Sequence, residues 1–189
     1  IRKFKKKKYS LETLKNENLF YKAENQRLKN LIEEKNIYTT EFIFSKVLLD
    51  QQSPYLKSLI INKGFKHGIK LGVAVKEKSY FVGKIINANF LTSRILLASD
   101  LNSKIPVIIE PAGANAILSG QGHNNYAELE YLPKLKKIVE GDLVFTSGVD
   151  GIIPDGIPVG KIFLDDEKIL VEFFVDFNQL KFVNINKHQ

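Results

Sequence analysis

The sequence contains no cysteine, no methionine and no tryptophan among its 189 residues. The absence of cysteine excludes a disulfide framework, a thiolate metal site and a cysteine nucleophile. No apolar run approaches the roughly 18–20 residues that a membrane-spanning helix needs, and no basic-then-apolar layout marks a secretory signal peptide. Because methionine is missing even at position 1, we expect the chain to begin downstream of its natural start, and any membrane anchor to precede Ile1.

The net charge of +7 is concentrated at the start of the chain. Residues 1–40 hold eleven Lys and Arg against five Glu, whereas residues 41–189 are almost balanced. Six basic residues fall within residues 1–10, and we interpret this run as a juxtamembrane segment that meets anionic headgroups. Nucleic-acid binding through the same run is the alternative. The near-neutral remainder argues against it, so we expect no nucleic-acid partner.

A helix is predicted next, because residues 11–35 lack Gly and Pro and are rich in Leu, Glu, Lys and Gln. With Leu11 at heptad position a, the a and d positions hold apolar side chains and two asparagines that can set the register of a parallel coil. A single amphipathic helix packed on its own domain is the alternative. We predict a coiled-coil helix and linker over residues 11–40, self-associating through Leu11, Leu14, Asn18, Tyr21, Asn25, Leu28 and Ile32.

From residue 41 onward the chain consists of short apolar runs broken by Gly, Pro, Asn and Asp, which is typical of strands and turns. Strands are predicted at residues 41–50, 56–62, 80–88, 93–98, 104–110, 126–132, 143–146, 159–164, 169–177 and 181–186. Many short strands at this spacing favour sandwiches or small barrels. We therefore predict a mainly β fold, in which an N-terminal coiled-coil helix precedes two small β-barrel-like domains.

A repeated tetrapeptide indicates an internal duplication. Val-Gly-Lys-Ile occurs at residues 82–85 and again at 159–162, and each copy follows a glycine-bearing turn region and precedes an apolar strand ending in Asp. The matching flanks favour a duplicated β unit over chance. We therefore place the first β domain at residues 41–113 and the second at residues 114–189, and we allow strands to be shared across this boundary.

Candidate catalytic residues are few. His67, Asp100 and Ser147 follow the chain order of two-barrel serine proteases, so a two-barrel serine hydrolase is an alternative function. The residues around His67 and Ser147 lack the sequence context of such a site, and we predict no catalytic residue. The histidines lack the spacing of a helical ligand pair, and no glycine-rich loop opens a helix. We therefore predict no metal site and no cofactor.

The most informative segment spans residues 141–162 and reads Gly-Asp-Leu-Val-Phe-Thr-Ser-Gly-Val-Asp-Gly-Ile-Ile-Pro-Asp-Gly-Ile-Pro-Val-Gly-Lys-Ile. Glycine permits positive φ and proline presets φ, so this segment predicts turns that join two strands. It shapes the backbone and holds no side chain poised for chemistry. The predicted structural turn motif comprises Gly141, Asp142, Thr146, Ser147, Gly148, Pro154, Gly156, Pro158 and Gly160.

This segment resembles the signature of the rod shape-determining protein MreC family: Gly-Asp, an apolar strand, Thr-Ser-Gly, and then Pro-x-Gly-Ile-Pro-Val-Gly. The likeness extends over most of the chain, and the combination is more specific than Thr-Ser-Gly alone. Further matching segments are residues 61–64, 82–85 and 101–107, and the Glu-Asn pairs at residues 17–18 and 24–25.

The resemblance implies a non-enzymatic scaffold of the bacterial cell-elongation machinery that maintains rod shape. It implies an extracytoplasmic, periplasmic location, with a single-pass anchor in the cytoplasmic membrane upstream of this chain. The partners that it implies are a second copy or a larger self-assembly, the elongation-specific class B penicillin-binding transpeptidase, and MreD with the MreB system. The partner-binding residues stay unassigned, with Tyr55, Tyr80 and Tyr126 as guesses.

Overall fold

The computed structural model describes residues 15–24, 42–53, 56–123, 125–133, 136–165 and 168–186. These residues belong to two units, one within Ile1–Thr39 and the other within Thr40–Gln189. In the first unit, residues 15–24 form a helix, α1, whose side chains are almost all exposed. Asn18 and Tyr21 lie on α1, whereas the other five predicted seam residues lie outside the described residues. The coiled coil therefore stays a prediction.

The second unit is built from β-strands, twelve of them among its described residues. In β6, Ile105, Val107 and Ile109 are buried while Lys104 and Glu110 are exposed, because successive side chains of a strand point to opposite faces. A short 3₁₀ turn at Phe65–His67 follows β2. In chain order, β1 to β12 span Phe42–Ser53, Leu56–Ile61, Ala74–Glu77, Tyr80–Ala88, Ser93–Leu97, Lys104–Glu110, Ala114–Gly120, Tyr126–Glu130, Leu143–Thr146, Pro158–Asp165, Lys168–Phe173 and Phe182–Asn186.

The strands close into two six-stranded antiparallel barrels. The first barrel has the order β1-β12-β3-β4-β5-β2, and the second has the order β10-β11-β8-β7-β6-β9. Closure pairs both edges of each described strand, so neither barrel offers a free edge for pairing with another chain. The predicted mainly β fold with two barrels is confirmed.

Each half of the duplicated sequence supplies five strands to one barrel and its sixth strand to the other. Strands β1 to β5 lie in the first barrel, but β6 crosses into the second; β7 to β11 lie in the second barrel, but β12 returns to the first, between β1 and β3. The predicted domains at 41–113 and 114–189 therefore follow the two repeats and differ from the two barrels. The barrels are formed by residues 42–97 with 182–186, and by residues 104–173.

Equivalent aspartates mark the two points at which the chain changes barrel. Asp100 follows β5 and Asp176 follows β11, and Oδ1 of each accepts a hydrogen bond from the backbone N–H two residues later. The backbone carbonyls of Asp100 and Asp176 accept hydrogen bonds from the N–H groups of Ser103 and Gln179. The same turn therefore directs the next strand out of its own barrel in both repeats. In both repeats this turn lies where the chain leaves one barrel for the other.

The repeated Val-Gly-Lys-Ile has a structural origin. Gly83 lies in β4 and Gly160 lies at the equivalent position in β10. A Cβ at Gly83 would overlap the carbonyl oxygen of Leu96, and a Cβ at Gly160 would overlap that of Glu172. Only glycine allows the neighbouring strand to approach so closely at these positions. The duplication thus preserves a glycine that each barrel requires.

Candidate partner-binding surface

The signature segment forms a loop between β9 and β10 that is organised around one buried threonine. The hydroxyl of Thr146 donates to the carbonyl oxygen of Pro154 at 2.6 Å and accepts the N–H of Ile157 at 3.0 Å. Gly148 and Gly156 have φ values of +69° and +76°, in the left-handed region that favours glycine. We call residues 147–157 the signature loop. Its backbone conformation is set by these internal bonds.

Other residues of the predicted turn motif flank the signature loop. Gly141 has a φ of +86° and lies before β9. Oδ2 of the buried Asp142 accepts a hydrogen bond from the N–H of Val139 at 3.0 Å. Pro158 and Gly160 lie at the start of β10. These residues shape the entry to β9 and the exit into β10.

A cleft of about 480 Å³ lies between the signature loop and the first barrel. This volume falls in the usual range of ligand-binding sites. The loop side is formed by residues 154–158, of which Pro154, Ile157 and Pro158 are apolar and Asp155 is acidic. The barrel side carries basic and amide groups together with one aromatic ring: Phe42, Lys76, Lys78, Ser79, Asn184 and Asn186.

Lys76 is the most constrained cation of this cleft. Its Nζ atom lies 4.8 Å from the centre of the Phe42 ring, within cation–π range. Partial burial lowers the pKa of Lys76 below its ordinary value, because the ammonium loses part of its hydration. In the part of the chain that the structure describes, no carboxylate lies within ion-pair distance of Lys76 or Lys78.

Two further features of the cleft are unusual. Lys78 has a φ of +54°, a conformation that costs a residue with a Cβ energy and is worth examining for function. Among the described residues, the buried Oδ1 atom of Asn186 finds no hydrogen-bond partner, although buried acceptors are normally satisfied. The cleft therefore holds a strained cation and an unused acceptor.

An exposed aromatic surface adjoins the cleft on the first barrel. The rings of Phe44 and Phe182 stack at 5.0 Å with an interplanar angle of 16°, although both side chains are largely exposed. Phe42 and Leu48, also on β1, are exposed as well. We call Phe42, Phe44, Leu48 and Phe182 the β1–β12 face. Contiguous exposed aromatic surface on a rigid sheet is typical of a protein contact.

A second aromatic cluster lies on the loops of the first barrel. The rings of Phe65 and Phe90 meet edge to face at 5.1 Å. The Nζ atom of Lys66 lies 5.5 Å from the centre of the Phe90 ring. Phe65 and Phe90 are both more than half exposed. This cluster offers a control surface of similar chemistry for binding experiments.

The three candidate tyrosines have different surroundings. Tyr80 packs against Phe174 with ring centres 5.1 Å apart, and Tyr126 packs against Phe163 at 5.2 Å. Tyr55 lies outside the described residues. Tyr80 is 38% exposed and Tyr126 is only partly exposed, whereas Phe44 is 61% exposed, so the β1–β12 face presents more free aromatic surface.

The two barrels carry opposite charge. Residues 42–97 and 182–186, which form the first barrel, contain nine Lys and Arg against two Asp and Glu, a net charge of +7. Residues 104–173, which form the second barrel, contain six against eleven, a net charge of −5. The near-neutral net charge of residues 41–189 was expected to leave no electric field that could attract a charged partner. The two barrels nevertheless carry opposite net charges, and this separation can orient a charged partner.

The described residues of the second barrel include three Lys–Glu ion pairs. Lys104 Nζ lies 2.6 Å from Glu130, Lys161 lies 2.9 Å from Glu172, and Lys168 lies 2.8 Å from Glu128. The hydrogen bond from Lys104, followed by one from Ser119, lowers the pKa of Glu130. Hydrogen bonds to Glu172 and Glu128 raise the pKa values of Lys161 and Lys168. All three pairs are exposed and contribute little to stability.

The structure assigns His67, Asp100 and Ser147 to separate local bonds. The Nδ1 atom of His67 accepts the N–H of Gly64 at 3.1 Å, whereas a catalytic triad needs this atom to donate a proton to a carboxylate. The carboxylate of Asp100 is buried and accepts hydrogen bonds from Lys57 N and from Asn102. The backbone N–H of Ser147 donates to Pro106 O at 3.0 Å. His67 and Oδ1 of Asp100 thus stabilise their own turns, whereas Oδ2 of Asp100 joins its turn to β2 through the N–H of Lys57.

Across the described ranges, no group of three or more His, Asp or Glu side chains is placed to hold a metal ion. Within the same part of the chain, no helix is long and apolar enough to cross a membrane.

Known proteins resemble this chain in sequence over most of its length. The family model described as rod shape-determining protein MreC, barrel core, matches residues 47–187. The cell shape-determining protein MreC of Cereibacter sphaeroides is 34% identical over 140 residues, which cover 74% of this chain and 46% of that protein. The cell shape-determining protein MreC of Caulobacter vibrioides is 32% identical over 163 residues, which cover 86% of this chain and 47% of that protein. The chain thus spans about half the length of the curated relatives it matches.

Solved structures share the two-barrel fold. The crystal structure of MreC from Pseudomonas aeruginosa is 26% identical with a TM-score of 0.71, and the match covers 77% of this chain and 98% of that one. A chain of the complex between penicillin-binding protein PBP2 and MreC from Helicobacter pylori matches with a TM-score of 0.55 at 14% identity, over 78% of this chain and 100% of that one. The family model covers the chain from the middle of β1 to the end of β12, including the signature loop, and this chain therefore belongs to the family of the rod shape-determining protein MreC.

Proposed function

We propose that this chain is a non-enzymatic scaffold of the cell-elongation machinery, and that it binds the elongation-specific class B penicillin-binding transpeptidase. The observation that carries the proposal is the β1–β12 face, on which Phe44 and Phe182 stack while exposed on a closed barrel of an MreC family member. Exposed aromatic anchors on a rigid element are the usual centres of protein interfaces. The complex of PBP2 and MreC from Helicobacter pylori supports this class of partner.

The non-enzymatic part of the proposal is supported by the candidate triad. The Nδ1 atom of His67 accepts a backbone N–H of its own turn, and both carboxylate oxygens of Asp100 accept backbone N–H groups, so neither side chain is poised to activate Ser147. Catalysis also needs a nucleophile and a base within hydrogen-bond reach of each other. The hydrogen bonds that His67 and Asp100 make stabilise the fold.

The proposed location is the periplasmic face of the cytoplasmic membrane. A single-pass helix upstream of this chain would hold it there, and the basic run in residues 1–10 would meet anionic headgroups. MreD and the MreB system are the further proposed partners. Family membership supports this arrangement.

Replacing Phe44 and Phe182 with serine should weaken binding to the class B transpeptidase at least about tenfold, roughly 1.4 kcal/mol. The reason is that the stacked pair offers the largest exposed aromatic area on the face. Biolayer interferometry with the transpeptidase of the same organism measures the effect. The matched control replaces Phe65 and Phe90 with serine and should retain the affinity. Absence of binding by the unaltered chain would refute the proposed function, and equal losses in both variants would refute the choice of face.

Self-association through the predicted coiled coil is also part of the proposal. Replacing Leu14 and Leu28 with alanine removes two d-position side chains and should shift the sedimentation coefficient toward that of a monomer. Leu19→Ala is the control, because Leu19 lies on the same predicted helix but off the seam and is exposed on α1. An unchanged mass for the double variant at micromolar concentration would rule out the coil.

A further inference from the structure

We propose that the cleft between the signature loop and the first barrel binds an extended acidic peptide segment of a protein partner. Lys76 and Lys78 would pair with its carboxylates, and the Oδ1 atom of Asn186 would accept one of its N–H groups. The inference goes beyond the proposed function, because it names the ligand chemistry of a separate site and holds for any protein partner. The cleft shares only Phe42 with the β1–β12 face.

The barrel side of the cleft lacks the negative charge that its cations favour. Lys76 is partly desolvated, and its ammonium group meets the Phe42 ring instead of a carboxylate within the described residues. A desolvated ammonium gains most from a charge-assisted hydrogen bond. An incoming carboxylate would supply that bond, and the net charge of +7 on the first barrel would attract it.

The remaining groups of the cleft select a peptide over a simple anion. Asn186 offers a buried oxygen that needs an N–H or O–H donor, which a bare carboxylate lacks. Asp155 on the opposite wall is a second acceptor, which the N–H groups of a peptide can satisfy and a simple anion cannot. The apolar surface of Pro154, Ile157 and Pro158 provides a wall for aliphatic side chains. A peptide with carboxylates, N–H donors and apolar side chains would match the lysines, the hydrogen-bond acceptors and the apolar wall of the cleft.

The closed barrel determines how such a peptide is held. Asn184 and Asn186 lie on β12, which is paired on both sides, with β1 and with β3. No edge of β12 is left to pair with a peptide strand. The side chains of the cleft, and not the backbone of β12, must therefore bind the peptide. The amides of Asn184 and Asn186, which line the cleft, are suited to this role.

The backbone of Lys78 is consistent with a functional role. It lies in the two-residue turn between β3 and β4 with a φ of +54°, where glycine would be more stable. A strained residue that lines a cleft is a candidate for function. Lys78→Gly should therefore raise the melting temperature and weaken peptide binding. A variant that was merely misfolded could not show this pair of opposite effects.

The test uses the full chain and a fluorescein-labelled peptide of alternating Glu and Val, blocked at both ends. Anisotropy should rise saturably with the unaltered chain. Binding should weaken at least about tenfold in Lys76→Gln/Lys78→Gln. The matched control, Lys63→Gln/Lys70→Gln, removes two lysines of the same barrel that do not line the cleft. It should stay within about twofold of the unaltered chain.

Further arms separate the possible occupants. The same peptide with Gln in place of Glu should bind at least about tenfold more weakly, and free glutarate should compete only poorly. Equal loss in both double lysine variants would overturn the proposal, because binding would then follow the net charge of the barrel. No binding at millimolar peptide would also overturn it. Loss of self-association in Lys76→Gln/Lys78→Gln, without peptide binding by the unaltered chain, would assign the cleft to a second copy.

Discussion

Ending the chain after Leu180 should abolish the first barrel and leave the second one folded. The truncation removes β12, which lies between β1 and β3 and buries Val183 and Ile185 almost completely. Each buried side chain is worth about 1.5–3 kcal/mol, and two ladders of hydrogen bonds are lost as well. The total approaches the full stability of a small domain, about 5–15 kcal/mol. The second barrel contains no strand from this region.

Limited proteolysis with mass spectrometry measures the outcome. The truncated chain should be cut throughout residues 42–97 and should leave a protected fragment that contains residues 104–173. Removing only residues 187–189, which lie beyond β12, is the matched control and should leave the cleavage pattern unchanged. Equal protection of both barrels in the longer truncation would show that β12 is dispensable.

Gly160→Ala should destabilise the chain by about 3 kcal/mol or more, at the upper end of the cost of overpacking. The new Cβ would overlap the backbone carbonyl oxygen of Glu172 and crowd a methyl group of Val171. Backbone atoms inside a closed barrel cannot move aside without breaking the pairing of β10 with β11. Gly83→Ala should behave alike, because its Cβ would overlap the carbonyl oxygen of Leu96.

Gly151→Ala is the matched control for this experiment. A Cβ at Gly151 would meet nothing within 4 Å, so only its φ of +67° is unfavourable. Its cost should be about 1 kcal/mol. Urea denaturation followed by circular dichroism compares the variants. Similar losses for Gly160→Ala and Gly151→Ala would mean that backbone strain, and not close strand approach, explains the repeated glycine.

The fold class could be predicted because alternation and turn residues are local signals. β6 shows both, with buried Ile and Val alternating between charged ends. Two strands, β3 and β7, were not predicted. β3 has only four residues. β7 is rich in Ala, Asn, Ser and Gly, which are weak strand formers. The predicted strand at 169–177 was too long, because β11 ends at Phe173 before the turn at Asp176.

The cleft could not be predicted, because its walls come from distant parts of the chain. Lys76 lies in the unpredicted β3, and Asn186 reaches the cleft only because β12 returns to the first barrel. The signature loop was predicted as a set of turns, but the sequence holds no sign of what faces it. The charge separation is already present between the predicted domains, with a net charge of +5 over residues 41–113 and −4 over residues 114–189, and the strand exchange only increases it.

The return of β12 also sets the order in which this protein can mature. Ribosomes make chains from the N-terminus, and early segments usually begin to fold first. Here the first barrel can close only after β12 has been synthesised, because β12 pairs with both β1 and β3. Asn184 and Asn186 arrive on that strand. A prematurely terminated product would therefore lack the peptide-binding cleft altogether, so that only chains translated through β12 could compete for its ligand.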